Sequence, residues 1–296
     1  MKTRIIILSL LMTLCSIFSA CENEAVDITT AIDITINTSS VLSPFTLYDT
    51  SDLAMISGSK VRLTCLLYNA NGALDDRQDI ALSDFSSSAN IHEKLSDQTY
   101  TLVVVASCIK GGSLIKPEYE AYSLTGVDNL STLKLEQVLY PVDDSSLWSV
   151  LGYGKQVFMS QNNNETVMNL EPATALVYLN YRGIHTRPNI DKYRIEWISN
   201  NQLTFNKGVV RYACSVESGK VAGYDELKPD SYSDDAVNLY AIYNILPGEC
   251  TINSAPCIGN DYFDIRSANT SLEAGHQYVF RYDCSTATLT IKEGRL

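Results

Sequence analysis

Cysteine is the residue type whose placement says most about the chemistry open to this chain. The sequence starts with Lys2 and Arg4, runs apolar from Ile5 to Phe18 with only Ser9, Thr13 and Ser16 interrupting, and then sets Ser19-Ala20 before Cys21. A positive start, an apolar middle and small residues ahead of a cysteine form a secretory signal with a lipoprotein-type cleavage site. The apolar run is too short for the roughly 20 residues of a bilayer crossing. The expected chemistry is acylation of Cys21 as the mature N-terminus, with residues 1–20 removed and residues 21–26 forming a lipidated tether. Of the eight cysteines, Cys15 leaves with the signal and Cys21 is spent on lipid, so Cys65, Cys108, Cys214, Cys250, Cys257 and Cys284 remain. An even remainder outside the cytoplasm permits disulfides. Buried free thiols are the alternative, above all for Cys65 and Cys108.

Other reactive patterns do not assemble. Asp75-Asp76, Asp143-Asp144 and Asp234-Asp235 are adjacent pairs, whereas glycoside cleavage sets two carboxylates facing each other across about 5–10 Å. They read as solvated loop charge. Asp225, Glu226, Asp230, Asp234 and Asp235 share one polar segment, but no D-x-[DN]-x-[DN]-G calcium loop exists. Gly-x-Ser-x-Gly is absent, and Gly58-Ser59 and Gly112-Ser113 lack the flanks of a nucleophile elbow. Gly111-Gly112 stands alone, without the further glycines of a phosphate loop. His92, His185 and His276 are scattered, and no CxxC or Cys/His spacing suits zinc. No enzymatic activity, metal or cofactor is expected.

The composition is globular, 45% hydrophobic and 19% charged. Its 296 residues suffice for two ordinary domains after loss of the signal. The formal charge of −12 falls to −14 once Lys2 and Arg4 are gone. No run of Lys or Arg exists to meet nucleic acid or anionic head groups. After Cys21 the longest wholly apolar stretch is about Leu102–Ala106, so lipid is the membrane contact expected, stable when it carries two or more acyl chains. Glu22-Asn23-Glu24 resembles the acidic patch that sends lipoproteins to the outer face of certain Gram-negative envelopes. That implies an outer-membrane, lipid-anchored protein facing the exterior.

Period-two alternation organises the rest. Ile32, Ile34 and Ile36 alternate with polar neighbours, as do Val61, Leu63 and Cys65, then Tyr193, Ile195 and Trp197, then Tyr278, Phe280 and Tyr282, and finally Ala287, Leu289 and Ile291. These are half-buried strands. Leu102–Ala106 and 175–179 are apolar on both faces, as central strands are. Asn71-Gly72 supplies the turn of one hairpin, and Asp283–Ser285 separates the last two strands. One short helix is expected from Asp144 to Leu151, and Ser233–Tyr243 fits helix or strand. The pattern predicts an all-β chain of two tandem β-sandwiches with few short helices. The boundary is set by Pro141, Asp143-Asp144 and Gly152-Tyr153-Gly154: residues 27–145 form the first domain and 155–296 the second, with the Gln161–Asn164 loop joining the first two strands of the latter. Of 18 tyrosines, Tyr100, Tyr193, Tyr278 and Tyr282 point inward. Tyr232, Tyr240 and Tyr262 are the candidates for outward contact.

Val61–Tyr68 followed by Asn69-Ala70-Asn71-Gly72-Ala73-Leu74 resembles the strand-Tyr-Asn-Gly-Leu hairpin of fimbrillin-type lipoproteins. Leu95–Tyr100 leading into 101–106 is similar to their L-x-x-G-x-Y entry to a buried strand, with Gln98 in place of glycine or Asp97 taking its turn position. Leu272–Tyr278 repeats that theme with Gly275 intact, and Leu170–Leu176 is similar to their second-domain opening without its arginine. The resemblance spans most of the mature chain and points to fimbrillin-A-associated anchor lipoproteins and minor subunits of type V pili. It implies transthyretin-like sandwiches, other fimbrial subunits as partners, and assembly by strand donation. Stalk subunits of that system are cut after an arginine near the first strand. Here no Arg or Lys occurs between Cys21 and Ser59, which fits an uncut anchor. The candidate donor strand is Thr286, Ala287, Thr288, Leu289, Thr290 and Ile291. The alternative is a surface glycan-binding lipoprotein of a nutrient-uptake system.

Overall fold

The computed structural model describes residues 29–41, 59–82, 88–110, 122–137, 150–161, 165–187, 189–206, 209–213, 223–227 and 238–294. Cys21 with the signal and tether, the helix expected at Asp144–Leu151 (apart from its last two residues), Asp234-Asp235, Tyr232 and Cys214 lie outside them.

Strand-forming alternation is realised throughout. The first half of the chain contributes β1 (Thr29–Asn37), β2 (Ser59–Tyr68), β3 (Leu74–Leu82), β4 (Ala89–Ser96) and β5 (Thr99–Lys110). It continues with β6 (Tyr122–Thr125), β7 (Lys134–Gln137), β8 (Val150–Met159), β9 (Glu165–Asn169) and β10 (Glu171–Pro172). The second half supplies β11 (Ala175–Arg182), β12 (Lys192–Ile198), β13 (Gln202–Asn206), β14 (Val209–Ala213), β15 (Gly223–Leu227) and β16 (Asn238–Ile245). It ends with β17 (Gly248–Ile258), β18 (Asp261–Tyr262), β19 (Arg266–Leu272), β20 (Gln277–Asp283) and β21 (Thr288–Gly294).

Two sandwiches result, as the alternation predicts. In the first, sheet β4-β1-β9 covers sheet β10-β8-β5-β2-β3. Ile32, Ile34 and Ile36 of β1 close on Leu63, Leu102, Val104 and Phe158. In the second, sheet β16-β11-β20-β21 covers β15-β12-β17-β18, with β19 also paired to β17. Here Val177, Leu179 and Phe280 meet Ile195, Trp197 and Ile252. Both two-faced apolar strands are central, β5 between β2 and β8, and β11 between β16 and β20. In β5, Leu102, Val104 and Ala106 face the sandwich core, and Val103 and Val105 face a further cluster on the opposite side.

That further cluster comes from a sheet the alternation alone does not foretell. Strands β6 and β7 of the first half join β13 and β14 of the second in the order β14-β13-β7-β6. The resulting sheet lays Tyr122, Leu135, Leu203 and Phe205 on Leu66, Tyr68, Val103 and Val105. The halves therefore share a sheet rather than a flexible joint.

The expected boundary at 145–155 is corrected by strand pairing. β8 pairs antiparallel with β5, and β9 pairs parallel with β1. Phe158, Met168 and Leu170 belong to the first core, so the first sandwich runs to about Pro172. The loop around Gln161 accordingly joins β8 to β9 within the first sandwich. Gly152 and Gly154 are not linker glycines. A Cβ on Gly152 would stand 2.6 Å from Val41 Cγ2 and 2.7 Å from the Glu171 carbonyl oxygen. A Cβ on Gly154 would stand 2.6 Å from Met168 Sδ. Missing side chains let the opposite sheet approach here. Gly152→Ala is expected to destabilise the protein by about 1–3 kcal/mol through overpacking, read by chemical denaturation.

Turns follow their chemistry. Gly72 has φ +79°, and the Asn69 side chain accepts from the Asn71 and Ala73 N–H groups at 3.0 and 3.2 Å. Gln98, standing where the resembling family has glycine, donates through Nε2 to the Tyr100 hydroxyl at 2.8 Å. Its counterpart Tyr278 accepts from the Glu273 N–H at 3.0 Å beside Gly275, φ +77°. The ambiguous Ser233–Tyr243 stretch is strand from Asn238, and 231–237 lie outside the described residues. The last hairpin turns at 284–287 rather than at Asp283–Ser285, because Ala287 adopts φ +52°.

Among the tyrosines whose side chains the structure describes, most sit in the cores: Tyr68, Tyr100, Tyr122, Tyr181, Tyr193, Tyr278 and Tyr282 are buried. The Tyr181 ring lies 4.6 Å from that of Tyr193 and 5.5 Å from that of Tyr282. The Tyr181 hydroxyl pairs with Ser254 Oγ at 2.6 Å, so it is buried without an unmet polar group.

Candidate functional site

The thiols come first, since they are the natural nucleophiles. Cys65, Cys250, Cys257 and Cys284 are buried thiols, and Cys257 Sγ donates to the Ala255 carbonyl at 3.6 Å. Burial pushes the thiols of Cys65 and Cys250 up to about 12, and Cys284 is raised for the same reason. Such groups stay protonated and inert. Cys284 donates to the Tyr193 hydroxyl at 3.2 Å, a core contact. The burial of these four is compatible with the core-thiol reading. Cys108 is placed by its backbone in β5, opposite Val61.

The candidate donor residues are divided between two environments. Thr286 and Ala287 lie in the turn, and Thr288, Leu289, Thr290 and Ile291 lie in β21. There they pair with Asp283, Tyr282, Arg281 and Phe280 of β20. Leu289 and Ile291 pack on the second core, and β21 is the end strand of its sheet. At the other end of the chain β1 is fully seated: it pairs with β4 across Thr29–Ile36 and with β9 across Asp33–Asn37. Ile32, Ile34 and Ile36 are only 1%, 1% and 0% exposed.

A third feature escaped the sequence reading except for one residue. On the outer face of the second sandwich, β12 presents Arg194 and Glu196, and β17 presents Asn253 and Ala255. Tyr262 of β18 and Ile265 complete a cleft of about 240 Å³. Tyr262 was singled out by sequence; Tyr240 is placed by its backbone opposite Asn180. Alternation does put Arg194 and Glu196 on the polar face of β12. What it lacks is the partner strand: antiparallel register sets Arg194 against Ala255 and Glu196 against Asn253. Arg194 Nε and Nη2 both donate to Glu196 Oε1 at 2.7 Å. Its Nη1 donates to the Tyr262 hydroxyl at 2.9 Å, and the guanidinium lies 5.2 Å from the Tyr262 ring centre. Ser267 Oγ donates to Asn253 Oδ1 at 2.6 Å.

The wall bearing Ile265 is fixed by its neighbour. Asp264 has φ +49°, one of two non-glycine residues in the left-handed region among those described. Arg187 bonds its carboxylate, and that hydrogen bond holds the carboxyl below its ordinary range. The Tyr282 hydroxyl donates to its carbonyl at 3.3 Å, Arg266 Nη1 donates to the Ile265 carbonyl at 3.0 Å, and the Phe263 N–H donates to the Pro256 carbonyl at 3.2 Å.

No family profile and no curated protein matches the sequence. Solved structures do share its fold. A candidate adhesin of Bacteroides thetaiotaomicron aligns over 91% of this chain and 97% of its own, with TM-score 0.51 and 11% identity. The fimbrial anchor protein Mfa2 of Porphyromonas gingivalis aligns over 91% and 98%, with TM-score 0.51 and 13% identity. A candidate polysaccharide-binding protein of B. thetaiotaomicron aligns over 90% and 98%, with TM-score 0.51 and 12% identity. At these identities the likeness is one of fold, and the fold agrees with the fimbrillin-type resemblance read from the hairpins.

Proposed function

We propose that this protein is a non-enzymatic, lipid-anchored subunit at the cell surface, serving as an anchor or minor component of a type V fimbria and joined to its neighbours by strand exchange. The observation that carries the reading is the seating of β1. A subunit that receives a neighbour's strand must first vacate a groove. Here three fully buried isoleucines and two strand partners occupy that place, and the segment leading to it offers no basic residue for cleavage. Retaining β1 keeps the chain covalently joined to Cys21, hence to lipid. That is the property an anchor needs and a stalk subunit loses. The shared fold of Mfa2, a fimbrial anchor protein, supports the same role, and an outer-membrane location facing outward follows from the acidic tether.

The test is Cys21→Ser expressed in the native host. Complete loss of acylation is expected by mass spectrometry of the mature N-terminus, with the protein leaving the membrane fraction and fimbriae shed into the medium. An unacylated wild-type terminus, or a wild-type protein cut between Cys21 and β1, defeats the reading.

A further inference from the structure

The outer-face cleft of the second sandwich is built more carefully than a surface irregularity requires. Strained non-glycine backbone is held in place only when surrounding bonds over-determine it, and such positions gather at functional sites. Asp264 is one: bonds from Arg187 and Tyr282 fix it, and Arg266 holds the carbonyl of the adjacent Ile265. Ile265 is 58% exposed and Tyr262 39%, and Ile258 on the same hairpin is 47% exposed. Half of the large apolar side chains prominently exposed among the described residues thus gather around this one hairpin. A folded surface rarely groups them without a partner.

The polar side of the cleft is equally prepared. Arg194 is clamped by Glu196 and Tyr262, so this wall of the cleft has one orientation and loses little entropy on binding. With Oε1 engaged by Arg194, Glu196 Oε2 is free of partners among the described residues. The Asn253 amide adds a donor. Planar, fixed hydrogen-bonding groups beside an aromatic and aliphatic wall match a pyranose ring, with hydroxyls at its edge and C–H groups on its face.

Charge narrows the choice. Arg194 is already neutralised by Glu196, on a chain of formal charge −12. A carboxylated or phosphorylated ligand would find Arg194 already paired, with the Glu196 carboxylate beside it. The volume of about 240 Å³ lies below the roughly 300–1,000 Å³ of pockets for drug-sized ligands, which suits one ring rather than a chain. We propose that this cleft binds a single neutral sugar residue of a glycan. The inference stands apart from the fimbrial reading, since it needs neither the lipid nor a neighbouring subunit.

The experiment uses mature protein from residue 22, screened on an array holding neutral and acidic glycans and then titrated with the best neutral hit. Retention of neutral glycans is expected, with acidic forms bound weakly or not at all. Tyr262→Ala, Ile265→Ala and Glu196→Gln should each weaken binding at least tenfold with melting temperatures kept. Val167→Ala, on the far sandwich, should leave affinity unchanged. An array that retains nothing, one that retains acidic glycans alone, or neutral binding indifferent to the three cleft variants overturns the proposal.

Discussion

Replacing Phe205 by alanine should cost the protein about 3–5 kcal/mol, the range for truncating a buried aromatic, and should split its unfolding into two steps. Phe205 is 0% exposed and lies on β13, a second-half strand whose partner β7 comes from the first half through Gln202↔Glu136, Leu203↔Leu135 and Thr204↔Lys134. Its N–H donates to the Leu133 carbonyl at 3.2 Å. Its ring meets that of Tyr153 edge-on at 5.9 Å, within the range favoured by aromatic pairs. The cavity would therefore open where the two sandwiches are joined, while each keeps its own core intact. Calorimetry should show one transition in the parent protein and two in Phe205→Ala. A single transition with a loss below about 1 kcal/mol would show that the shared sheet does not couple the halves. Under the anchoring role proposed above, this sheet also carries load, since tension between a lipid at one end and a partner at the other must cross it.

That shared sheet marks where sequence legibility ends. The individual strands were readable because their pattern has a period: Ile32, Ile34 and Ile36 could alternate in register with only one face buried. The central position of β5 was readable because Val103 and Val105 have no polar reason to exist on a solvent face. Pairing between distant strands leaves no such trace. Nothing local in Leu203-Thr204-Phe205 says that it will lie beside Leu135 rather than within its own sandwich. The glycines misled for a related reason. Gly152 and Gly154 look like linker residues, yet they are strand positions whose missing Cβ atoms make room for Val41 and Met168, side chains far off in sequence. The cleft was half legible. Tyr262 stood out as a tyrosine near a loop, and Arg194 and Glu196 alternate as polar residues should, but only the β12–β17 register brings them to one place.

Removing residues 288–296 should lower stability by at least about 3 kcal/mol and create a site that accepts the lost strand back from solution. The deletion strips β20 of all seven of its register partners in β21, and it withdraws Leu289 and Ile291 from the second core, each buried aliphatic side chain contributing about 1.5–3 kcal/mol when fully covered and less when partly so. The fold should survive. β20 keeps its parallel pairing with β11 from Leu176↔Gln277 to Arg182↔Asp283, and Tyr278, Phe280 and Tyr282 keep their places in the second core cluster. What is left is an open edge of unpaired N–H and C=O groups beside an uncovered apolar strip, the requirement for strand addition. A peptide spanning 288–296 should bind the truncated protein and raise its melting temperature in a concentration-dependent way. The same peptide carrying Leu289→Asp and Ile291→Asp should do neither, because the ladder remains but the side chains no longer fit the strip. In cells, the truncated protein should lose its association with fimbriae while remaining lipidated. If the truncated protein folds and ignores the peptide, the edge of β20 does not exchange strands, and the proposed mode of joining neighbours loses its physical basis at this end of the chain.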